Sequence, residues 1–235
     1  MADIENIESD EAYFTKIRIP YETSPDTEID HNEITRGLMA GEQEHIYAGK
    51  CSFKLATHDQ PLLDSMRGLD LAPYAMKHAY YVSNKEQEDN FAVFENTIGP
   101  GFPSLHGTTH VLPSVVCASK VGLLPGKGGL WGPNVYTARG LEFINPSKRK
   151  SARAKYAFKS EEFPDRFVVL LVNIAMGNIL ECDHKTFRDE YNCKLPKGFH
   201  SVACEQDGHD LMMSPHAGGA RAVAVLVFED NPRAV

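Results

Sequence analysis

The stretch Leu-His-Gly-Thr-Thr occupies residues 105–109, and Gly-Pro-Asn-Val-Tyr-Thr-Ala follows at residues 132–138. The first stretch places His106 on an apolar-to-glycine turn, and the second places Tyr136 in a short run typical of a β-strand. A single histidine beside a glycine is more often structural than functional. Whether His106 and Tyr136 have a functional or a structural role therefore depends on the segments around them.

The composition favours one globular domain of intracellular type. The chain has 235 residues, of which 42% are hydrophobic and 24% charged, an ordinary globular balance. Its formal net charge of -8 argues against a surface that binds nucleic acid throughout. The five cysteines are scattered and form no CxxC pair, which indicates a reducing compartment. The acidic N-terminus does not resemble a secretory signal, and no apolar run reaches the roughly 20 residues of a membrane span.

Residue patterns predict an α+β domain after an acidic N-terminal segment. We divide the chain into residues 1–75, whose structure is unassigned and which is a candidate to pack on the domain, and residues 76–235. Within the first part, residues 13–20 alternate like a half-buried strand. In the second part we predict strands at residues 78–83, 134–138, 167–175, 200–203 and 222–228, and helices at 86–98, from about 111 to Gly122, and at 147–158.

Four segments in order resemble the catalytic domain of PARP-type (diphtheria-toxin-like) ADP-ribosyltransferases. They are Leu-His-Gly-Thr at 105–108, Val-Tyr-Thr-Ala at 135–138 after a glycine-rich loop, Lys-Ser-Ala at 150–152 with Tyr156 soon after, and Leu-Pro-Lys-Gly-Phe-His-Ser-Val at 195–202. In the third segment, two extra residues separate the Lys-Ser-Ala from the tyrosine. The resemblance covers about residues 78–230. It implies the ADP-ribosyltransferase fold, with split mixed and antiparallel sheets and a few flanking helices.

The resemblance also implies that NAD is the co-substrate and that no metal takes part. His106 would bind the adenosine-side ribose with help from Thr108, and the Gly107 backbone would clamp the nicotinamide carboxamide. Glycine suits that role because a missing Cβ lets a ligand approach the main chain. On the nicotinamide side, Tyr136 and Tyr156 would enclose the ring and Ser151 would bond the carboxamide.

The chain departs from the family pattern at the third catalytic position. Polymer-forming members carry a glutamate at the start of the last strand, and aligning residues 225–229 with that strand puts Ala224 in its place. Mono-ADP-ribosylating relatives carry an apolar residue there and often end the strand with Phe-Glu, which Phe228 and Glu229 resemble. We therefore take His106, Tyr136 and Glu229 as the catalytic candidates, with Asp210 or Glu205 as other acids that could substitute.

Three further patterns do not support a competing function. The loop at residues 122–128 is one residue short of a P-loop and lacks its Ser/Thr, and the resemblance makes it the loop that covers NAD. The cysteines and histidines between 182 and 216 match no structural zinc spacing, so we predict no metal site. The basic run at 148–155 is most simply a solvated helix face, the alternatives being a contact with the diphosphate, an acidic target or RNA, or a nuclear address.

The sequence thus predicts a mono-ADP-ribosyltransferase that moves one ADP-ribose from NAD to a macromolecule with release of nicotinamide. We expect a protein acceptor, with nucleic acid as the alternative, no membrane partner, and a site of action in the cytoplasm, the nucleus or, for a bacterial effector, a host cytosol. The competing hypothesis is a catalytically inactive PARP-like module that binds NAD, ADP-ribose, RNA or a protein. An RNA 2'-phosphotransferase shares the His-Gly-Thr turn, but it needs an arginine set that we cannot assign.

Overall fold

A computed structural model describes residues 30–110, 112–117, 120–126, 131–145, 156–206 and 209–231. The strand predicted at residues 13–20, most of the basic helix predicted at 147–158, and Ser151 lie outside these ranges.

The described chain is an α+β structure with one large mixed sheet. Its strands are β1 His45–Ala48, β2 Cys51–Leu55, β3 Met76–Ser83, β4 Gly101–His106, β5 Val135–Ala138, β6 Arg166–Ala175, β7 Ile179–Glu181, β8 Ser201–Gln206, β9 His209–Ser214 and β10 Ala220–Glu229. The helices are α1 His31–Ala40, α2 Gln60–Ser65, α3 Lys85–Ile98, α4 Leu112–Val116, α5 Leu141–Ile144 and α6 His184–Asp189. The predicted mixture of helices and strands is confirmed.

The sheet is built around β6, the apolar run that the sequence assigned to a central strand. Alternate β6 side chains enter two separate apolar cores, with Val168 and Leu170 in one and Val169 and Leu171 in the other. Both faces of the strand are therefore buried, as the continuous run of apolar residues predicts. The strand order is β1-β2-β3-β10-β6-β4-β5-β9-β8-β7, with only the β7–β8 pair parallel.

The sheet is almost divided between β4 and β5. Six residue pairs join β4 to β6, and four join β5 to β9. In contrast, one pair, Leu105 with Ala138, joins β4 to β5, and both strands are described along their whole length. Each half of the sheet thus has its own hydrogen-bonded ladder. The two ladders diverge at Leu105 and Ala138, which lie in the Leu-His-Gly-Thr and Val-Tyr-Thr-Ala segments.

Of the three helices predicted in residues 76–235, one is correct, one is shorter than predicted and one is wrong. The helix predicted from about residue 111 to Gly122 is observed over Leu112–Val116. Helix α3 begins after Asn84, whose side chain accepts from the Gln87 N–H at 3.3 Å, and it buries Phe91, Phe94 and Ile98 as its periodicity predicts. The helix predicted at 147–158 is wrong in its described part. There the chain is extended, and the Phe158 backbone bridges to β6 at Val168.

Residues 31–75 continue the same sheet and pack on it. The hairpin β1–β2 extends the sheet through β3. Helix α1 is held at its C-terminal end, where the His78 ring lies 2.8 Å from the Leu38 carbonyl and the Arg166 guanidinium donates to the Met39 carbonyl. A cation at this end of a helix also interacts favourably with the helix dipole. This segment therefore shares the core of the rest of the chain.

Candidate functional site

His106 and Tyr136 face each other across the gap between β4 and β5. Beyond the Leu105–Ala138 pair, the His106 Nδ1 lies 2.7 Å from the Tyr136 carbonyl oxygen. On the other side of that pair, the Ser104 hydroxyl donates to the Ala138 carbonyl at 3.1 Å. Side chains of β4 thus bond β5 carbonyls on both sides of the pair, and beyond it the His106 ring donates to the Tyr136 carbonyl in place of a ladder N–H group. The structure brings together the first two predicted catalytic residues by a direct hydrogen bond.

This bond fixes which nitrogen of His106 carries the proton. A carbonyl can only accept, so Nδ1 donates and the Nε2 of the neutral ring is left as an acceptor. Burial lowers the pKa of His106 below its usual range, although the bond to the carbonyl opposes that change. The ring is therefore neutral near pH 7, and its Nε2 can accept a hydrogen bond from a hydroxyl group of a ligand.

The Tyr136 side chain is held by the turn that precedes its own strand. Its hydroxyl oxygen accepts from the Trp131 N–H at 3.1 Å, and its proton is donated to the Gly132 carbonyl. The ring lies against the Trp131 indole with centroids 6.0 Å apart. Burial is the main cause that raises the pKa of Tyr136, so the phenol stays protonated. The hydroxyl is thus engaged within the protein, and the ring is the part of the side chain that could contact a ligand.

Gly107 packs directly against Tyr156. A Cβ at Gly107 would lie 2.7 Å from Ile144 Cγ2 and 2.9 Å from Tyr156 Cβ, both closer than real Cβ contacts allow. The Tyr156 N–H donates to the Ile144 carbonyl at 2.9 Å, which places the tyrosine beside α5. The family resemblance accounts for a glycine at position 107 by the approach of a ligand to the main chain. In the structure, close packing of Ile144 and Tyr156 is already sufficient to require glycine.

Tyr156 presents an aromatic face near the His-Gly turn. Its ring stacks on Phe143 with centroids 6.4 Å apart and an interplanar angle of 20°, and the residue is 47% exposed. Thr108 is buried two residues after His106, and its hydroxyl oxygen accepts from the His110 N–H at 3.1 Å. The structure thus gathers five of the predicted site residues around one turn, namely His106, Gly107, Thr108, Tyr136 and Tyr156.

Glu229 does not join this group. It lies at the last position of β10, opposite Arg166 of β6, and its carboxylate pairs with the Lys77 ammonium at 3.1 Å. His106 pairs with Leu170, farther along β6. Two strand spacings and four residues of rise then separate the Cα atoms of Glu229 and His106 by about 16 Å.

The alignment that placed Ala224 in the glutamate position also receives no support from the topology. Ala224 is buried on β10, which pairs with β3 and β6. The strand beside Tyr136 is instead β9, where Met213 is its partner. Asp210 is the second residue of the same strand and pairs with Glu205 of β8. By strand geometry, the Cα atom of Asp210 is about 11 Å from that of Tyr136.

Sequence reasoning missed two side chains that shape the site. Ser104 bonds the Ala138 carbonyl, and Phe143 stacks on Tyr156. A serine two positions before His106 was a usable signal, because alternate residues of a strand share a face. Phe143 lacked such a signal, because its contact depends on the chain returning at residue 156.

Two negative findings bear on cofactors and membranes. In the described ranges, no three histidine, cysteine or acidic side chains are grouped so that they could hold a metal ion. Across the same ranges, no helix combines the length and apolar character that crossing a bilayer requires.

No protein-family model matches the sequence, and no match is found among curated proteins.

Proposed function

We propose that this protein is an NAD-dependent mono-ADP-ribosyltransferase that transfers one ADP-ribose to a macromolecular acceptor, in the first place a protein. The observation that carries the proposal is the junction of β4 and β5. There the bond from His106 to the Tyr136 carbonyl leaves the histidine Nε2 as an acceptor, while Gly107 holds Tyr156 beside the same turn.

The chemistry of these groups matches the two ends of the dinucleotide donor. A ribose hydroxyl is a donor that a neutral histidine Nε2 can accept. The half-exposed Tyr156 ring, supported by Phe143, offers a flat aromatic face to nicotinamide. An aromatic contact of this kind contributes roughly 0.5 to 1.5 kcal/mol beyond the area that it buries.

Transfer breaks the bond between the anomeric carbon of the ribose and the nicotinamide nitrogen, which leaves with the bonding electrons. An acceptor nucleophile then forms a bond to that carbon and loses its proton. Because positive charge develops on the ribose, catalysis consists mainly of orienting the donor and stabilising that charge. We assign the orientation to His106, Thr108, Gly107 and the rings of Tyr136 and Tyr156, with the Tyr136 backbone carbonyl holding His106 in place.

Activation of the acceptor calls for a carboxylate that takes up its proton. Ala224 supplies none, and Glu229 is too far from His106 for direct contact, so we leave both out of the reacting group. Asp210 lies closer, on the strand that borders Tyr136. We propose that the acid comes from Asp210 or from the acceptor itself, an arrangement that suits a single transfer better than chain elongation.

The test is incubation of the full chain with labelled NAD and a cell lysate, followed by mass spectrometry of the labelled molecules. We expect modification by single ADP-ribose units on protein, and loss of labelling in His106→Ala and Tyr136→Ala. His110→Ala is the matched control, because His110 is exposed on the same turn. Labelling that persists in both site variants would contradict the proposal, and ladders of polymer would contradict single transfer.

The inactive binding module remains the second candidate, because neither Ala224 nor Glu229 of β10 places a carboxylate beside His106. It predicts that isothermal calorimetry detects NAD or ADP-ribose binding that depends on His106, while no lysate component is labelled. Binding together with labelling would reject this second function.

A further inference from the structure

We propose that Asp230 is a positioning residue for the nicotinamide side of the site, acting on Tyr156 through Asn145 and Lys159. Asp230 follows the end of β10 and lies outside the set of residues that the sequence predicts for the site. The part of this inference that concerns ligands rests on the proposed function. The part that concerns Tyr156 does not.

The Asp230 carboxylate joins two residues that flank Tyr156 in the chain. One oxygen accepts from the Asn145 side-chain amide at 3.0 Å. The other oxygen accepts from the Lys159 ammonium. The side chains of Asp230 and Lys159 are 17% and 35% exposed, so this ion pair is partly shielded from solvent. One carboxylate thus fixes the chain on both sides of residues 146–158.

Asn145 and Asp230 are each bonded to further parts of the structure. Asn145 is fully buried, and its carbonyl accepts from the Tyr74 hydroxyl at 2.6 Å. The Asp230 N–H donates to the Asp165 carbonyl at 2.7 Å. The carboxylate is therefore attached to a rigid strand end at one side and to a buried asparagine at the other.

Tyr156 lies in the chain between Asn145 and Lys159, the two residues that the Asp230 carboxylate binds. Its backbone N–H is bonded to Ile144, the neighbour of Asn145, and its Cβ faces Gly107. The exposed ring has one described stacking partner, Phe143. The position of the ring depends on Asn145 on one side and on residues 157–159 on the other, where the Phe158 backbone is bonded to Val168 of β6 and Lys159 to Asp230. Loss of the carboxylate should therefore move Tyr156 while His106 keeps its bond to Tyr136.

The experiment compares Asp230→Ala and Asp230→Asn with Asp165→Asn in the full chain. Asparagine at 230 can still accept from Asn145 but cannot form the ion pair with Lys159, so its effect should be the smaller one. Asp165 is the matched control, because its exposed carboxylate lies nearby and contacts neither Asn145 nor Lys159. Lys159→Gln removes the ion pair while leaving the bond to Asn145, and it serves if the alanine variant does not fold.

The first readout needs no ligand. Tyrosines are replaced biosynthetically by 3-fluorotyrosine, and the fluorine resonance of residue 156 is assigned by its disappearance in Tyr156→Phe. We expect this resonance to shift in the Asp230 variants and to stay unchanged in Asp165→Asn. A Tyr156 resonance that does not move in Asp230→Ala overturns the proposal.

The second readout separates positioning from general damage. Calorimetry measures 3-aminobenzamide, a mimic of nicotinamide, and ADP-ribose, which lacks the nicotinamide. We expect Asp230→Ala to bind 3-aminobenzamide about tenfold more weakly and ADP-ribose within about twofold of the wild type. Equal weakening of both ligands would overturn a specific role. If the wild type binds neither ligand while the fluorine shift is present, the proposed function fails and the positioning of Tyr156 stands.

Discussion

His216 provides a quantitative test of how the turn between β9 and β10 is packed. Its ring lies against Phe94 of α3, with centroids 5.5 Å apart, and it donates a hydrogen bond to the His200 carbonyl. Burial is the main cause that lowers the pKa of His216 to about 4, and the charge on His200 acts in the same direction. The hydrogen bond to the carbonyl opposes this shift but does not cancel it.

The sign of the resulting pH dependence follows from proton binding in the two states. The unfolded chain binds a proton near the ordinary pKa of 6.5, whereas the folded chain binds it only near pH 4. Between these values the unfolded state holds more protons, so the free energy of unfolding falls as the pH falls. The stabilisation is complete above pH 6.5, and about 3 kcal/mol of it is lost by pH 4, with about 2 kcal/mol already lost at pH 5.

The perturbation is His216→Asn or His216→Gln, each of which keeps an amide donor for the His200 carbonyl but does not titrate. Urea denaturation at intervals between pH 8 and pH 4 gives the free energy of unfolding of each protein. The difference between wild type and variant should fall by about 3 kcal/mol on acidification, because groups that do not interact with His216 contribute equally to both proteins. A difference that is constant with pH would refute burial of a neutral His216.

Three further changes test other parts of the structure. Asparagine in His106→Asn can still donate to the Tyr136 carbonyl but offers no acceptor at the Nε2 position. The free energy of unfolding of this variant should therefore lie within about 1 kcal/mol of that of the wild type, while calorimetry should show loss of NAD binding. His106→Ala should also lose about 1 to 3 kcal/mol of stability. Gly122→Ala should cost at least about 2 kcal/mol in urea denaturation, because Gly122 has a φ of +95° and its new methyl group would overlap the first carbonyl of β10. Gly126→Ala on the same loop serves as the control, because a methyl group there would lie 3.9 Å from the Asn134 carbonyl oxygen, an ordinary contact. Glu229→Gln should lose less than about 1 kcal/mol, as expected for an exposed ion pair, and should keep its labelling by NAD; loss of labelling would contradict its exclusion from the site.

The sequence predicts elements well where one short segment contains all the physical information. The apolar run of β6 indicates burial on both faces without reference to any other strand, and both faces are buried. Helix α3 carries its cap at Asn84 and its apolar face within one stretch, so its start and its buried side are both correct. Strands β1 and β2 are too short to show a clear alternation of apolar and polar residues. Their place at the sheet edge depends on pairing with β3.

The sequence predicts the site less completely, because strand neighbours are not ordered as in the chain. The last strand is the natural position to search for the third catalytic residue, yet β10 lies on the far side of β6 from His106. Strand β9, which comes earlier in the chain, is the one that borders Tyr136. Tyr156 was assigned to a helix from the basic residues before it, but a backbone bond to Ile144 holds it in an extended segment. Such long-range pairing leaves no local pattern.

The candidate site lies where two hydrogen-bonded ladders of the sheet separate. Strand β4 is held by β6, whose side chains are buried in both cores, and β5 is held by β9. The β4–β5 ladder stops at Leu105 and Ala138. Past that pair, the His106 side chain supplies a donor to the Tyr136 carbonyl. The hydrogen bond from His106 to the Tyr136 carbonyl therefore also sets the tautomer of His106. It leaves Nε2 as the acceptor on which the proposed recognition of the ribose depends.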